Sequence, residues 1–243
     1  MLYAMILVCV VFTSTLSGVL GMAGGMILMT VLVLSLNVAS AMLLHGAVQA
    51  MANGSRAWFL RRNIRWRLLP LYLIGAALAL AGFTLLAVVP NVGLVLLLVG
   101  LFPWLARVSG RLQGLDVTRP ATTIACGLIV TSAQLLAGAS GPLLDVFYLR
   151  APLTRHEVVA NKALTQALGH VLKIVYYGFV ISVSSDLPLW LFAAAIGCAV
   201  LGTRLGTRLL ERWNDADFRK VSQAIILIIA TYCVGQGLWM LFI

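Results

Sequence analysis

The chain has 243 residues, of which 62% are apolar and only 10% charged, and its mean hydropathy is +1.04. A water-soluble fold has too little polar surface to cover that much hydrocarbon, so a soluble domain is excluded. The formal net charge is +10, but the basic residues sit in short segments between apolar runs. That is the positive-inside distribution of a membrane protein, not the aromatic-rich basic patch of a nucleic-acid binder, so nucleic acid is not an expected partner.

In chain order, residues 1–55 hold no Asp, Glu, Lys or Arg. The run 2–36 lacks the basic start of a cleavable signal and reads as membrane segment. Its middle, Gly21-Met22-Ala23-Gly24-Gly25, is expected to interrupt the helix and turn it into a hairpin. Runs 38–60, 68–89 and 91–106 follow as full spans, at roughly 20 residues per crossing. The run 121–149 contains Gly138-Ala139-Ser140-Gly141-Pro142, and proline cannot continue a helical hydrogen-bond ladder. Runs 157–182, 187–203 and 221–243 complete the chain. Cys9, Cys126, Cys198 and Cys233 lie inside apolar runs without a CxxC spacing, so neither a metal nor a redox cofactor is expected.

Orientation follows from the charges. Sixteen of the seventeen basic residues fall in four segments. These are Arg56–Arg67, Arg107–Arg119, Arg150–Lys162 and Arg204–Lys220, and all four are expected on the cytoplasmic side. The turn 88–91 is uncharged, and the turn 182–188 has only Asp186. The segments before residue 121 and after residue 149 then lie on one side. A single helix cannot begin and end there, so 121–149 is expected to be a re-entrant hairpin turning at Ser140-Gly141-Pro142.

The two halves carry the same features in the same order. Gly25-Met26-Ile27-Leu28 aligns with Gly141-Pro142-Leu143-Leu144. Gln49-Ala50, Asn53 and Arg56 align with Gln166-Ala167, His170 and Lys173. Leu73–Ala77 resembles Ala195–Ala199, pairing Gly75 with Gly197. The expected fold is an all-α integral membrane protein in one domain, 1–243, built from two inverted repeats at approximately 1–110 and 118–243. Each repeat holds a re-entrant or broken helical hairpin plus three transmembrane helices.

Candidate functional residues come from the same pattern. A helix interrupted inside the membrane leaves backbone N–H groups unpaired, and glycine lets a ligand approach them. Gly24, Gly25, Ser140 and Gly141 are therefore candidates for binding an oxyanion; tight helix crossing is the alternative, and it is the preferred reading for Gly202 and Gly206. Gln49 and Asn53 share a helix face, as do Gln166 and His170, and polar side chains in hydrocarbon face a cavity or a partner helix. His45 extends the first stripe. Lys173 is the one basic residue outside the four basic segments; it either snorkels to the outer interface or draws anions to the outer mouth, with Arg56 as its inverted counterpart at the inner mouth. Asp145 follows the second break by three residues. It is either a structural acid paired with a nearby Lys or Arg, or the group that couples proton and anion.

Three stretches resemble the sulfite exporter TauE/SafE family: Gly18-Val-Leu-Gly21-Met-Ala-Gly24-Gly25, Gly138-Ala-Ser-Gly141-Pro142-Leu-Leu, and Glu157 to Gly178, with the glycine-spaced span 197–206 in support. The resemblance implies transport of small sulfur-containing anions such as sulfite or organosulfonates. The expected activity is thus secondary transport across the cytoplasmic (inner) membrane, with proton coupling through Asp145 as one form of it. Alternatives are an uncoupled, channel-like anion permease or a membrane assembly factor. An enzyme is not expected, because three scattered histidines supply neither a nucleophile–base pair nor a metal cluster. The expected partners are a small inorganic or organosulfur anion and the lipid bilayer, and a homo-oligomer is compatible with the sequence.

The charge partition makes one directly testable statement. A cysteine introduced beside Arg62 should resist an impermeant thiol reagent added to intact cells, whereas both chain termini should react. External labelling beside Arg62 would overturn the orientation and the inverted repeat together.

Overall fold

The computed structural model describes residues 1–20, 23–109, 115–182, 187–210 and 215–242. Among them every regular element is helical. The elements are α1 (Leu2–Leu20), α2 (Ala23–Ser35), α3 (Val38–Phe59), α4 (Leu68–Leu86), α5 (Val92–Ser109), α6 (Pro120–Ala137), α7 (Gly141–Tyr148), α8 (Arg155–Val175), α9 (Leu189–Leu210) and α10 (Asp215–Phe242). A 3-10 turn, Arg61–Asn63, follows α3, and a π-helical turn, Tyr176–Val180, prolongs α8. Four segments are long and apolar enough to cross a membrane: Leu68–Leu86, Pro120–Ala137, Leu189–Gly206 and Gln223–Phe242. Shorter apolar helices cover Leu2–Ser17, Ala23–Ser35 and Val92–Val108.

Helices α3 and α8, with 22 and 21 residues, are as long as the apolar spans but more polar. They pack along one another, which takes their polar faces away from the surrounding hydrocarbon. His45, Gln49, Asn161, Thr165, His170 and Lys173 are all buried there. Both helices start on side-chain caps. Asn37 Oδ1 accepts the Ser40 N–H at 2.8 Å, and Thr154 and Glu157 form a reciprocal capping box. Such caps satisfy N–H groups that the first helical turn leaves open, each stabilising by about 1 kcal/mol.

Around this pair, α1 lies along α9, α4 along α6 and α5 along α10. The outward faces are apolar, with Leu78, Leu85, Ile129, Leu201 and Ile228 exposed. Exposed tryptophans mark the helix ends, Trp58, Trp66 and Trp104 beside the basic segments and Trp190 and Trp239 at the opposite ends. Tryptophan favours that headgroup level because its ring is amphipathic.

The break after α6 falls inside the segment expected to interrupt the run. Gly138 adopts a left-handed conformation (φ 73°), donates its N–H to Gln134 O and is followed by Ala139 and Ser140 before α7 begins. No other residue suits Gly138, since a Cβ there would lie 2.6 Å from Met29 Sδ besides straining the backbone. The chain then folds back, and Val117 N–H donates to Phe147 O at 3.0 Å, so the start of α6 and the end of α7 are neighbours. The first interruption separates Leu20 from Ala23. Residues 21 and 22 of that expected break lie outside the described residues, as do Arg111, Asp186 and Arg212 of the charge partition. Gly24 and Gly25 belong to the first turn of α2, and that turn rests on the end of α1 around Thr13 and Ser17.

Two glycines from stretches that resemble each other in sequence sit in different surroundings. Gly75 sits at the α4–α6 crossing, where an added Cβ would come within 2.0 Å of Ile124 O, but a Cβ on Gly197 would meet nothing within 4 Å. The crossing of α9 on α1 is made by Gly202, whose Cβ would lie 2.5 Å from Val11 O. Small residues at crossings bring backbones close enough for dispersion contacts that substitute for the hydrophobic effect inside a bilayer.

These contacts predict opposite outcomes for two alanines. At Gly127 a Cβ would stand 2.1 Å from Tyr72 O, so Gly127→Ala should force α4 and α6 apart and destabilise the protein by about 1–3 kcal/mol. Gly197→Ala should be neutral or stabilise slightly, because alanine favours a helix by up to ~1 kcal/mol. Thermal denaturation of the two variants in detergent, followed by size-exclusion, checks the difference.

Candidate functional site

The second helix break organises a chain of hydrogen bonds. Ser140, fully buried at the start of α7, donates its hydroxyl proton to Gln134 Oε1 on α6. The Gln134 amide nitrogen therefore points the other way and meets the His170 ring, 2.6 Å from Nδ1 and 3.1 Å from Nε2. Gln166 Nε2, one turn before His170 on α8, donates to Ser140 Oγ at 3.4 Å. Donation runs in one direction, from Gln166 through Ser140 and Gln134 to His170, and the ring nitrogen that receives it carries no proton.

A second chain joins the two breaks. Lys173 Nζ, on α8, lies 2.9 Å from His45 Nδ1 and 3.0 Å from Gly138 O. His45 Nε2, on α3, is 2.9 Å from Gly25 O in the first turn of α2. A carbonyl only accepts, so Nε2 holds the ring proton and Nδ1 receives the lysine N–H. The path Gly25–His45–Lys173–Gly138 thus spans from one interruption to the other. His45 and His170 lie side by side, ring centroids 5.3 Å apart. Lys173 and His45 are completely buried, and His170 is nearly so.

This placement replaces the expectation that Lys173 reaches an outer interface or mouth. Its stem does not snorkel, because its ammonium has two acceptors, His45 on α3 and Gly138 O at the second break, and the following π turn is pinned in place. Tyr176 donates to Val88 O at 2.8 Å and Tyr177 to Leu135 O at 2.8 Å. Among the described residues no carboxylate pairs with Lys173. A buried ammonium with neutral acceptors only is costly unless an anion joins it.

The other candidates occupy two neighbouring regions. Gln49 is buried against Gly25, where a Cβ would come 3.2 Å from Gln49 Nε2. Asn53 turns back on its own helix, donating to Gln49 O at 3.0 Å and Gln49 Oε1 at 3.4 Å. Gly24 is held by backbone contact with α1, whereas Gly141 is buried as the first residue of α7. Arg56, partly buried, donates to Ser17 O near the end of α1 at 3.5 Å. Asp145 is ion-paired with Lys162 across α7 and α8, the structural alternative raised for it from sequence. Near the start of α8, Arg65 Nε contacts Glu157 Oε1 at 2.6 Å, and Arg65 N–H donates to Asn161 Oδ1 at 3.1 Å.

Gln134 was not singled out from sequence, yet it is the residue that connects Ser140 to His170. The available signal was its isolation: it is the only amide side chain in α6, one turn before the glycine break. Among the described residues no three His, Cys, Asp or Glu side chains gather to hold a metal ion.

A family model described as sulfite exporter TauE/SafE matches residues 6–233. Neither the curated proteins nor the solved structures give a match.

The Gln134 contacts lead to a stability prediction. Gln134→Leu would leave the Ser140 hydroxyl and the His170 ring without their partner in the core. Each unsatisfied buried polar group costs about 1–3 kcal/mol. The variant should unfold at a clearly lower temperature than Gln134→Glu, which preserves an acceptor for Ser140; equal melting of the leucine variant and the wild type would remove Gln134 from the network.

Proposed function

The chain belongs to the sulfite exporter TauE/SafE family of membrane transporters, and from that premise we propose that it is a proton-coupled secondary transporter of small sulfur-containing anions, sulfite or organosulfonates, in the cytoplasmic membrane. The observation that carries the anion assignment is Lys173, a fully buried cation between two helix interruptions, hydrogen-bonded to neutral groups. Donors surround it. The N-terminal turns of α2 and α7, at Gly24, Gly25, Ser140 and Gly141, direct backbone N–H groups and the positive ends of their helix dipoles inward. Gln49, Asn53, Gln166 and His170 add side-chain donors that hold an oxyanion without a second full charge.

The transport unit in this proposal is one domain of two inverted halves, approximately 1–110 and 118–243, with both termini outside. Three features support it. Exchanging the halves turns the α1–α9 pairing into α6–α4 and leaves α3–α8 and α5–α10 paired with themselves. Arg56 and Lys173 both donate to a carbonyl at the end of their own half's first hairpin helix, Ser17 O and Gly138 O. His45 and Lys162 both reach the helix after the break, at Gly25 O in α2 and at Asp145 in α7. Such halves rocking about a central site give alternating access.

Proteoliposome uptake of labelled sulfite and a simple sulfonate, with and without a pH gradient, tests the proposal, and flux insensitive to the gradient would favour an uncoupled permease. Gln49→Ala and Gln166→Ala should each weaken anion binding by about 1.5–3 kcal/mol, the range for a hydrogen bond to a charged ligand. Cys198→Ala, on α9, should not. Unchanged affinity in both glutamine variants, with normal folding, would return those residues to a purely structural role.

A further inference from the structure

We propose that Lys173 and His45 share a single proton that enters and leaves with the substrate, so that the carrier moves one proton for each monovalent oxyanion. This rests on the transport reading above and assigns its coupling group. The argument begins with the hydrogen bond itself. Lys173 Nζ and His45 Nδ1 are 2.9 Å apart, and His45 Nε2 already gives its proton to Gly25 O. The contact accommodates one positive charge in either of two forms, an ammonium donating to a neutral imidazole or an imidazolium donating to a neutral amine. Two charges would set proton against proton and break the bond. His170 accepts from Gln134 and stands 5.3 Å from His45, which disfavours a second charge there.

Among the described residues the surroundings supply no fixed counter-charge. Helix α8 packs against α3, α4, α6, α7 and the two short turns. From α3 come His45 and Arg56, and Arg56 reaches Ser17 O. From α7 comes Asp145, which is taken by Lys162, and Tyr148. The π turn brings Tyr176 and Tyr177, whose hydroxyls donate to carbonyls. The 3-10 turn carries Arg61 and Arg62, and α4 and α6 offer only Tyr72 and Cys126 as titratable groups. On α8 itself, Glu157 pairs with Arg65 near the start of the helix, and Arg155 and His156 lie in the first turn.

An empty site therefore has to bear an uncompensated buried charge or lose the proton, and an anion at Lys173 reverses that preference. Proton and anion each raise the affinity for the other, as linkage requires. Lys173 has a third N–H beyond its two acceptors, which is the donor available to the anion. On the loading side the proton passes from water to the Lys173–His45 pair as the anion binds, and on the other side both return to water. Asp145 takes no part in this transfer.

The test uses methanesulfonate, which stays a monoanion across the working pH range, so any proton moving with it is carried by the protein. Labelled uptake and internal acidification are measured in the same proteoliposomes for the wild type and Lys173→Arg. The wild type should deliver about one proton per methanesulfonate. Lys173→Arg should still take up the anion but without the proton, since a guanidinium does not deprotonate in proteins. Uptake without acidification in the wild type, or wild-type acidification in Lys173→Arg, overturns the proposal. If Lys173→Arg does not purify as a monodisperse protein, the wild-type ratio decides alone. Uptake of sulfite without methanesulfonate also overturns it, and uptake of neither overturns the transport reading itself.

Discussion

A polar stripe inside hydrocarbon has to find partners within the protein, and the whole arrangement follows from that requirement. Helices α3 and α8 carry His45, Gln49, Asn53, Gln166, His170 and Lys173, a set no lipid-facing helix tolerates. Packing the two stripes together removes them from lipid and pairs Lys173 with His45, but the remaining donors need other acceptors. The acceptors come from the hairpins. Gly25 O lies in the first turn of α2, Gly138 O at the end of α6, and Gln134 Oε1 and Ser140 Oγ beside the second break. Gly138 caps the C-terminus of α6, where carbonyls have no helical partner, so without that break Lys173 would lose its backbone acceptor.

The same bonds make the two hairpins mechanically dependent on each other. Gly25 belongs to the first half and Gly138 to the second, and only two side chains, His45 and Lys173, lie between them. A change in the protonation or ligand contacts of either side chain alters a bond at both breaks. This is a physical link between distant segments that does not depend on a chain of loosely packed intermediates. It also explains the rigid setting of Lys173: Tyr176 and Tyr177 fasten the π turn to the ends of α4 and α6, so the lysine cannot swing toward the membrane surface.

Much of this was legible in the sequence because it depends on local chemistry. The second break could be read from Gly138 and Pro142, and the stripes from residues three and four apart on α3 and α8. The packing role of Gly202 was likewise visible in its spacing. What the sequence hid depends on which helix turns toward which. Lys173 looked close to an interface because its distance from the helix end is all a sequence offers, whereas its burial comes from α3 and the break after α6. Gln134 looked unremarkable because its partners, Ser140 and His170, are joined only when α6, α7 and α8 come together. The different surroundings of Gly75 and Gly197 were hidden for a related reason. Glycine and alanine recur so often in membrane helices that a short match does not define which glycine sits at a crossing.

In the proposed arrangement of two inverted halves, the halves differ most in where they place charge. In the second, Lys173 is fully buried and Lys162 is matched by Asp145; in the first, Arg56 keeps partial contact with the surface and the position matching Asp145 is the apolar Met29. Met29 is not idle, since its sulfur fills the space that the missing Cβ of Gly138 leaves open. An acid at Met29 would stand beside the Gly138 carbonyl that Lys173 uses and would neutralise the lysine permanently. Methionine there keeps the lysine's counter-charge absent while packing the left-handed turn, because its flexible thioether fills irregular gaps without adding polarity. The asymmetry between the halves is thus concentrated at the one place where a fixed negative charge would compete with an incoming anion.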